Sequence, residues 1–213
     1  MNTSGNTVLI TGGATGIGMS MAEGLLEAGN EVLICGRREE KLAAARDRLP
    51  RLQAMRCDVA DAGGREALAD WAVGQNVNVL VNNAGMQRVV DFRGGLPALD
   101  SGDNEVRINL EAPVYLTARL LPHLLTADEA AVVNVSSGLG FVPLAIMPVY
   151  CATKAALHLF SVSLRCQLEE TAVRVFEVIP PMVDTELDRG ARAQRGQMRR
   201  GIEPGEVARA FMS

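Results

Sequence analysis

The stretch Thr7-Val8-Leu9-Ile10-Thr11-Gly12-Gly13-Ala14-Thr15-Gly16-Ile17-Gly18, near the start of the 213-residue chain, decides the fold. Residues 7–11 form an apolar run too short for a helix and closed by Gly12-Gly13, which reads as a buried strand. From Gly16 a helical pattern runs through Ala28 and stops at Gly29-Asn30. Between strand and helix, glycines at 12, 16 and 18 allow a tight turn, close approach of backbone to a pyrophosphate, and close packing of helix on sheet. The helix N-terminus adds unpaired N–H groups and partial positive charge for phosphates. No Gly-Lys-[Ser/Thr] closes the turn, so it is not a P-loop. The expected reading is a dinucleotide cradle made by Gly12, Thr15, Gly16, Ile17 and Gly18.

Outward from this turn, strands and helices alternate. Strands are expected at 31–35, 52–57, 77–81, 131–135 and 173–179, and helices at 39–49, 61–73, 103–125 and 150–170. Pro113 lies inside the long 103–125 pattern and should kink it or mark a junction. Such alternation predicts βαβ units on a parallel sheet covered on both faces. One domain, 1–213, accounts for the length.

A strand-end acid binds the ribose 2′-hydroxyl in NAD sites, about 20 residues past the glycines. Here the second strand ends in Cys35-Gly36-Arg37-Arg38, with no acid. A guanidinium at Arg37 suits a 2′-phosphate, so NADP(H) is favoured and NAD(H) stays admissible. Asp58, after the third strand, either accepts from an adenine amino group or caps a turn.

The second informative stretch is 136–159. Tyr150 and Lys154 are four residues apart, so on a helix they share a face with Cβ atoms about 5–6 Å apart. A free tyrosine titrates near 10, and a nearby ammonium favours the phenolate. Ser137 ends the fifth strand thirteen residues before Tyr150 and can hydrogen-bond the same substrate oxygen. Ser136 competes for that role, with spacing favouring Ser137. Together these groups suit proton exchange with an alcohol or carbonyl oxygen, and the accompanying hydride needs a cofactor.

Bulk composition excludes several classes. A net charge of −4 gives no invitation to nucleic acid. No apolar run reaches membrane-spanning length, and the first residues carry no signal-peptide pattern. Cys35, Cys57, Cys151 and Cys166 show no metal-ligand spacing and read as buried reduced thiols of a cytoplasmic protein. His158 reads as a packing residue and His123 as a helix-end charge.

These residues form a known pattern. The Thr-Gly-x-x-x-Gly-x-Gly turn at 11–18, Asn82-Asn83-Ala84-Gly85, Asn109, Ser137 and Tyr150-x-x-x-Lys154 occur in one order. The chain resembles the single-domain branch of the short-chain dehydrogenase/reductase family. The start of the chain and Ile179-Pro180-Pro181-Met182-Val183-Asp184-Thr185 are similar to the DltE-like members.

The resemblance implies a three-layer αβα Rossmann fold with strand order 3-2-1-4-5-6. It makes Tyr150 the general acid/base, and Lys154 its modulator and a ligand of the nicotinamide ribose. Ser137 becomes the holder of the substrate oxygen and Asn109 the anchor of a water linked to Lys154. Asn83, Ala84 and Gly85 line the cofactor, while Val59, Pro180, Val183 and Thr185 complete its site. Two departures stand out: Pro180-Pro181 replaces the usual Pro-Gly, and the family's seventh strand has no counterpart in this sequence.

Three further expectations concern the surroundings. Residues 184–205, polar and rich in arginine, form a mobile lid over the substrate. Met86, Phe141, Val142, Leu144, Ile146, Met147 and Met182 are either an apolar substrate pocket or core. The helices at 103–125 and 150–170 carry apolar residues on more than one face, which predicts a homodimer or homotetramer. The expected activity is interconversion of a small-molecule carbonyl and a secondary alcohol, with no nucleic acid and no membrane partner. A catalytically idle dinucleotide-binding sensor or scaffold is the alternative.

Overall fold

The computed structural model describes residues 2–99, 104–187 and 201–212. Six parallel strands form one sheet: β1 (Thr7–Thr11), β2 (Glu31–Gly36), β3 (Gln53–Arg56), β4 (Val79–Asn82), β5 (Ala130–Val135) and β6 (Val173–Val178). Their order is β3-β2-β1-β4-β5-β6, the doubly wound arrangement expected. The helices are α1 (Gly16–Glu27), α2 (Glu39–Arg48), α3 (Ala62–Gly74), α4 (Ala112–Leu124), α5 (Pro148–Gln167) and α6 (Pro204–Met212).

Period-two alternation divides the core between the two faces of the sheet. Leu9, Leu33, Leu80 and Val132 point to one side, where α3, α4 and α5 supply Leu68, Leu116, Leu120, Leu124 and Leu164. Val8, Ile10, Ile34, Val81 and Val133 point to the other, covered by α1, α2 and α6 through Met21, Leu25, Leu42 and Val207. Trp71 packs on the first of these cores. The inner strands β1, β2, β4 and β5 are therefore buried on both sides, the edge strands β3 and β6 only in part, and the strand order reverses between β1 and β4. Crevices at such switch points, outside the carboxyl ends of the strands, are where open α/β sheets bind ligands.

Two boundaries differ from expectation for local reasons. β4 begins at Val79 because the Asn78 side chain replaces a ladder partner: its Oδ1 accepts from the Thr7 N–H at 2.9 Å. The long helix starts at Glu105 and passes through a π-helical turn at Arg107–Glu111 before α4. Pro113 explains the junction, since it has no N–H to give to the Asn109 carbonyl four residues earlier. The proposed lid is largely outside the described residues, which include only 184–187 and 201–205 of it.

Candidate active site

The glycine turn is shaped by its neighbours. Gly12 has φ +66°, and a Cβ there would meet Ala84 Cα at 2.9 Å. A Cβ on Gly18 would strike the Asn83 amide at 2.5 Å and the Gly12 carbonyl at 2.7 Å. Asn83 makes this proximity useful: its Nδ2 donates to the carbonyls of Thr11 and Gly12 at 2.9 and 3.2 Å. Thr11 Oγ1 in turn accepts from the N–H groups of Asn83 and Ala84, both at 3.0 Å. The ends of β1 and β4 are thus laced together. Helix α1 begins here without a side-chain cap and without an acid in its first turn, leaving its positive end for an anion. The cradle fits a pyrophosphate.

Gly12, Thr15, Gly16, Ile17, Arg37, Asp58, Val59, Asn83, Ala84, Gly85, Tyr150, Lys154, Pro180 and Thr185 all line one cleft along these strand ends. Gly18 and Val183 do not line it: Gly18 is the packing glycine, and Val183 is buried in a bridge to Ile202. At the β2–β3 end, the Arg37 guanidinium lies 3.9 Å from the Asp58 carboxylate. Asp58 Oδ1 accepts from Ala60 N–H at 2.9 Å, the turn-capping role left open above. Buried Arg65 donates to the Val59 and Ala60 carbonyls at 2.9 and 3.2 Å and pairs with Glu111 at 2.8 Å, bracing this loop against the π turn that precedes α4. Arg38, Lys41 and Glu186 also line the cleft. Arg38 and Lys41 were legible as basic groups at a helix start beside Arg37; Glu186 left no local signal.

The other end is dry. Tyr150 is 6% and Lys154 4% exposed, and the Lys154 ammonium sits 5.8 Å from the Tyr150 ring centre. Lys154 Nζ donates to the Val135 carbonyl at 2.8 Å. Burial pulls its pKa down from 10.5 to about 8, because the low-dielectric surroundings penalise the ammonium. A chain of buried amides sets the helix on the sheet. Asn82 Nδ2 donates to Asn134 Oδ1, Asn134 Nδ2 to Ser161 Oγ, both at 2.9 Å, and Ser161 Oγ to the Leu157 carbonyl at 2.7 Å.

Asn109 lies in the π turn, fully buried, and does not line the cleft. It fastens the Met86 backbone at both N–H and C=O, at 2.9 and 2.8 Å, and donates to Thr153 Oγ1 at 3.1 Å. A Cβ on Gly85 would lie 3.5 Å from Asn109 Oδ1 and 3.7 Å from Lys154 Nζ, so Gly85 keeps that space open. Of the two serines, Ser136 lines the cleft and Ser137 does not. Ser137 Oγ accepts from Leu139 N–H at 3.1 Å and so caps a 3-10 turn. With one lone pair so engaged, its hydroxyl proton is left for an acceptor outside.

Phe141, Val142, Leu144, Ile146 and Met182 are 37–73% exposed beside this end, while Met147 is buried. None of these exposed side chains lines the cleft itself, while Met147 sits in a buried cluster with Tyr150 and Cys151 and Met86 packs partly buried against the core. His158 packs as expected, with Nδ1 2.8 Å from Glu177 Oε2 and its ring against Phe141. Three of the four free cysteines are buried, whereas Cys166 is exposed, contrary to expectation. Among the described residues no cluster of His, Cys, Asp or Glu is placed to hold a metal ion, and no helix is long and apolar enough to cross a membrane.

Residues 6–196 match the family model for short chain dehydrogenases. The chain is 52% identical over 214 residues to the uncharacterized oxidoreductase DltE of Bacillus subtilis (strain 168), covering 100% of this chain and 85% of that protein. It is 31% identical over 182 residues to the NADP-dependent 3-hydroxy acid dehydrogenase YdfG of Escherichia coli K12, covering 83% of this chain and 72% of that one. Among solved structures, the closed form of a serine dehydrogenase complexed with NADP+ superposes with a TM-score of 0.84 at 29% identity, covering 96% of this chain and 87% of that one. The 3-oxoacyl-(acyl-carrier-protein) reductase of Agrobacterium tumefaciens with NADP bound gives 0.86 at 28% identity, covering 99% and 87%.

Proposed function

Because this chain belongs to the short-chain dehydrogenase family, we propose that it is an NADP(H)-preferring oxidoreductase, with NAD(H) the lesser alternative, that interconverts a carbonyl and a secondary alcohol. The observation that carries this reading is the Tyr150–Lys154 pair, buried on one face of α5 beside a glycine cradle fit for a dinucleotide. When bound, the nicotinamide supplies the hydride donor or acceptor.

Tyr150 exchanges the proton at the substrate oxygen. Lys154 carries its charge below about pH 8 and stabilises the phenolate that forms. Ser137 donates its hydroxyl proton to the same substrate oxygen. Asn109 keeps Met86 and Thr153 in place around Lys154, and its carbonyl, deprived of a Pro113 N–H, takes the water that reaches the lysine. Gly12, Thr15, Gly16, Ile17, Asn83, Ala84, Gly85, Pro180 and Thr185 hold the dinucleotide along the strand ends, and Arg37 meets the 2′-phosphate. Phe141 and Val142, exposed in the loop between β5 and α5, give the substrate entrance an apolar rim that selects small apolar carbonyl compounds.

Tyr115, Leu159 and Val162 on the outer faces of α4 and α5 are 60%, 65% and 38% exposed, and they support a second copy as partner. Leu116, Leu120, Leu124, Leu157, Leu164 and Leu168, by contrast, are taken up within the subunit. The free thiols accord with a cytoplasmic setting.

Tyr150→Phe tests the reading. NADPH oxidation with a panel of carbonyl substrates should fall about 10²–10⁴-fold in kcat, while NADPH affinity stays within about twofold. Undiminished turnover in folded protein would remove the phenol from the mechanism. Cofactor binding without turnover in the unaltered protein would favour the sensor or scaffold. Ser137→Ala should cost more turnover than Ser136→Ala, and the reverse order would move the substrate oxygen to Ser136.

A further inference from the structure

Glu186 stands where β6 has ended and the chain crosses the cleft. The root of this crossing is fixed: Val183 bridges Ile202, and Asp184 N–H donates to the Ile202 carbonyl at 2.9 Å. Thr185 then lies over the glycine turn, so that a Cβ on Gly16 would come within 3.1 Å of its methyl group. Beyond it, Glu186 reaches the start of α2. Its Oε2 accepts from Arg38 NH1 and its Oε1 from Lys41 Nζ, each at 3.0 Å. The segment is a strap, pinned at one side of the cleft by backbone and at the other by two ion pairs.

The charges at this end make the strap conditional. Arg37, Arg38, Lys41, Asp58 and Glu186 all line the cleft here, with Asp58 beside Arg37 and Glu186 on Arg38 and Lys41. A guanidinium and an ammonium converging on one anion form the kind of pair that binds a phosphate. Lys41, and then Arg38, hold the Glu186 carboxyl below the usual carboxylate range. Resting on the dinucleotide reading above, we propose that Glu186 occupies the cations a cofactor 2′-phosphate needs, and that NADP(H), but not NAD(H), displaces it and unfastens the strap. Arg38 and Lys41 then become phosphate ligands beside Arg37.

The test uses fragments that lack the nicotinamide, with 2′,5′-ADP and 5′-AMP titrated calorimetrically into the full chain. Exposed ion pairs are individually weak, so the effects are severalfold. Glu186→Gln should tighten 2′,5′-ADP about fivefold and leave 5′-AMP within about twofold. Lys41→Met should weaken 2′,5′-ADP by a similar factor and spare 5′-AMP. The proposal is overturned if Glu186→Gln leaves 2′,5′-ADP unchanged, or weakens both fragments together as a purely structural strap would. It is also overturned, with the oxidoreductase reading intact, if the unaltered protein binds 5′-AMP as tightly as 2′,5′-ADP. If the unaltered protein binds neither fragment nor NADPH, the dinucleotide reading itself falls.

Discussion

At the Tyr150 end of the cleft the decisive side chains are almost out of water, and at the Arg37 end the side chains of Arg37, Arg38 and Asp58 are 47%, 50% and 43% exposed. The dry end is positioned by buried hydrogen bonds: Lys154 on the Val135 carbonyl, Asn109 on Met86, and Asn82 on Asn134 on Ser161. The wet end is held by ion pairs that water and salt can compete for. The difference fits the two tasks. Proton exchange requires fixed geometry and low dielectric, whereas choosing between two cofactors that differ by one phosphate requires charge. Substitutions should therefore act steeply at the first end and gently at the second.

Lys154→Met should produce the largest effect. Its loss removes the ammonium beside Tyr150, and turnover should drop about 10²-fold or more. The same substitution has a signature in stability. An unfolded lysine keeps its proton up to about 10.4, while buried Lys154 gives it up near 8. Between those values the unfolded chain holds more protons, so stability rises with pH, and it is lost again as pH falls to about 8. At about 1.4 kcal/mol per pH unit the span amounts to about 3 kcal/mol. Urea denaturation from pH 7.5 to 10.5 should show a slope in the unaltered apo-protein that is steeper by this amount than in Lys154→Met, where the shifted thiols of Cys35 and Cys57 still titrate. The same slope in both would mean that another group carries it, and the dry end would lose its electrostatic cost.

Asn134→Leu comes next. Asn134 is fully buried between Asn82 and Ser161. Its replacement takes one hydrogen bond from each, leaving Asn82 Nδ2 on Thr117 Oγ1 and Ser161 Oγ on the Leu157 carbonyl, at a cost of about 1–3 kcal/mol. If the amide chain sets α5 on the sheet, kcat should fall severalfold with NADPH affinity unchanged. A stability loss with kcat intact would show the network to be structural alone.

This division of the cleft was only half visible in the sequence. The glycine turn and the Tyr150–Lys154 pair were legible because each depends on residues near one another in the chain, or on a spacing that a helix enforces, whereas the strand order came only with the resemblance to the family. Pro113 signalled a junction correctly, since a missing N–H is a local fact. What escaped were contacts made by folding. Glu186 meets Arg38 across 148 residues, and no pattern along the chain announces it. Asn109 could be placed near the site, but not on Met86. Ser136 and Ser137 differ by one step along a strand end, and spacing alone does not say which faces the cleft. Whether Phe141 and Val142 were pocket or core depended on what covered them, which periodicity in a loop does not encode.

Arg37→Asp should have the smallest effect on turnover and probes the wet end most directly. The guanidinium is half exposed and 3.9 Å from Asp58, so its pull on a 2′-phosphate is shared and screened. Reversing the charge places two carboxylates together and should move the NADPH/NADH preference about tenfold toward NADH, about 1.4 kcal/mol. Both cofactors should be titrated at low and high salt. Raising the ionic strength from 0.01 to 0.15 M shortens the screening length from about 30 to about 8 Å, so the preference of the unaltered protein should shrink while turnover at saturating cofactor does not. A preference indifferent to both salt and Arg37→Asp would place cofactor choice in buried contacts, and the contrast between a dry end for chemistry and a wet end for selection would fail.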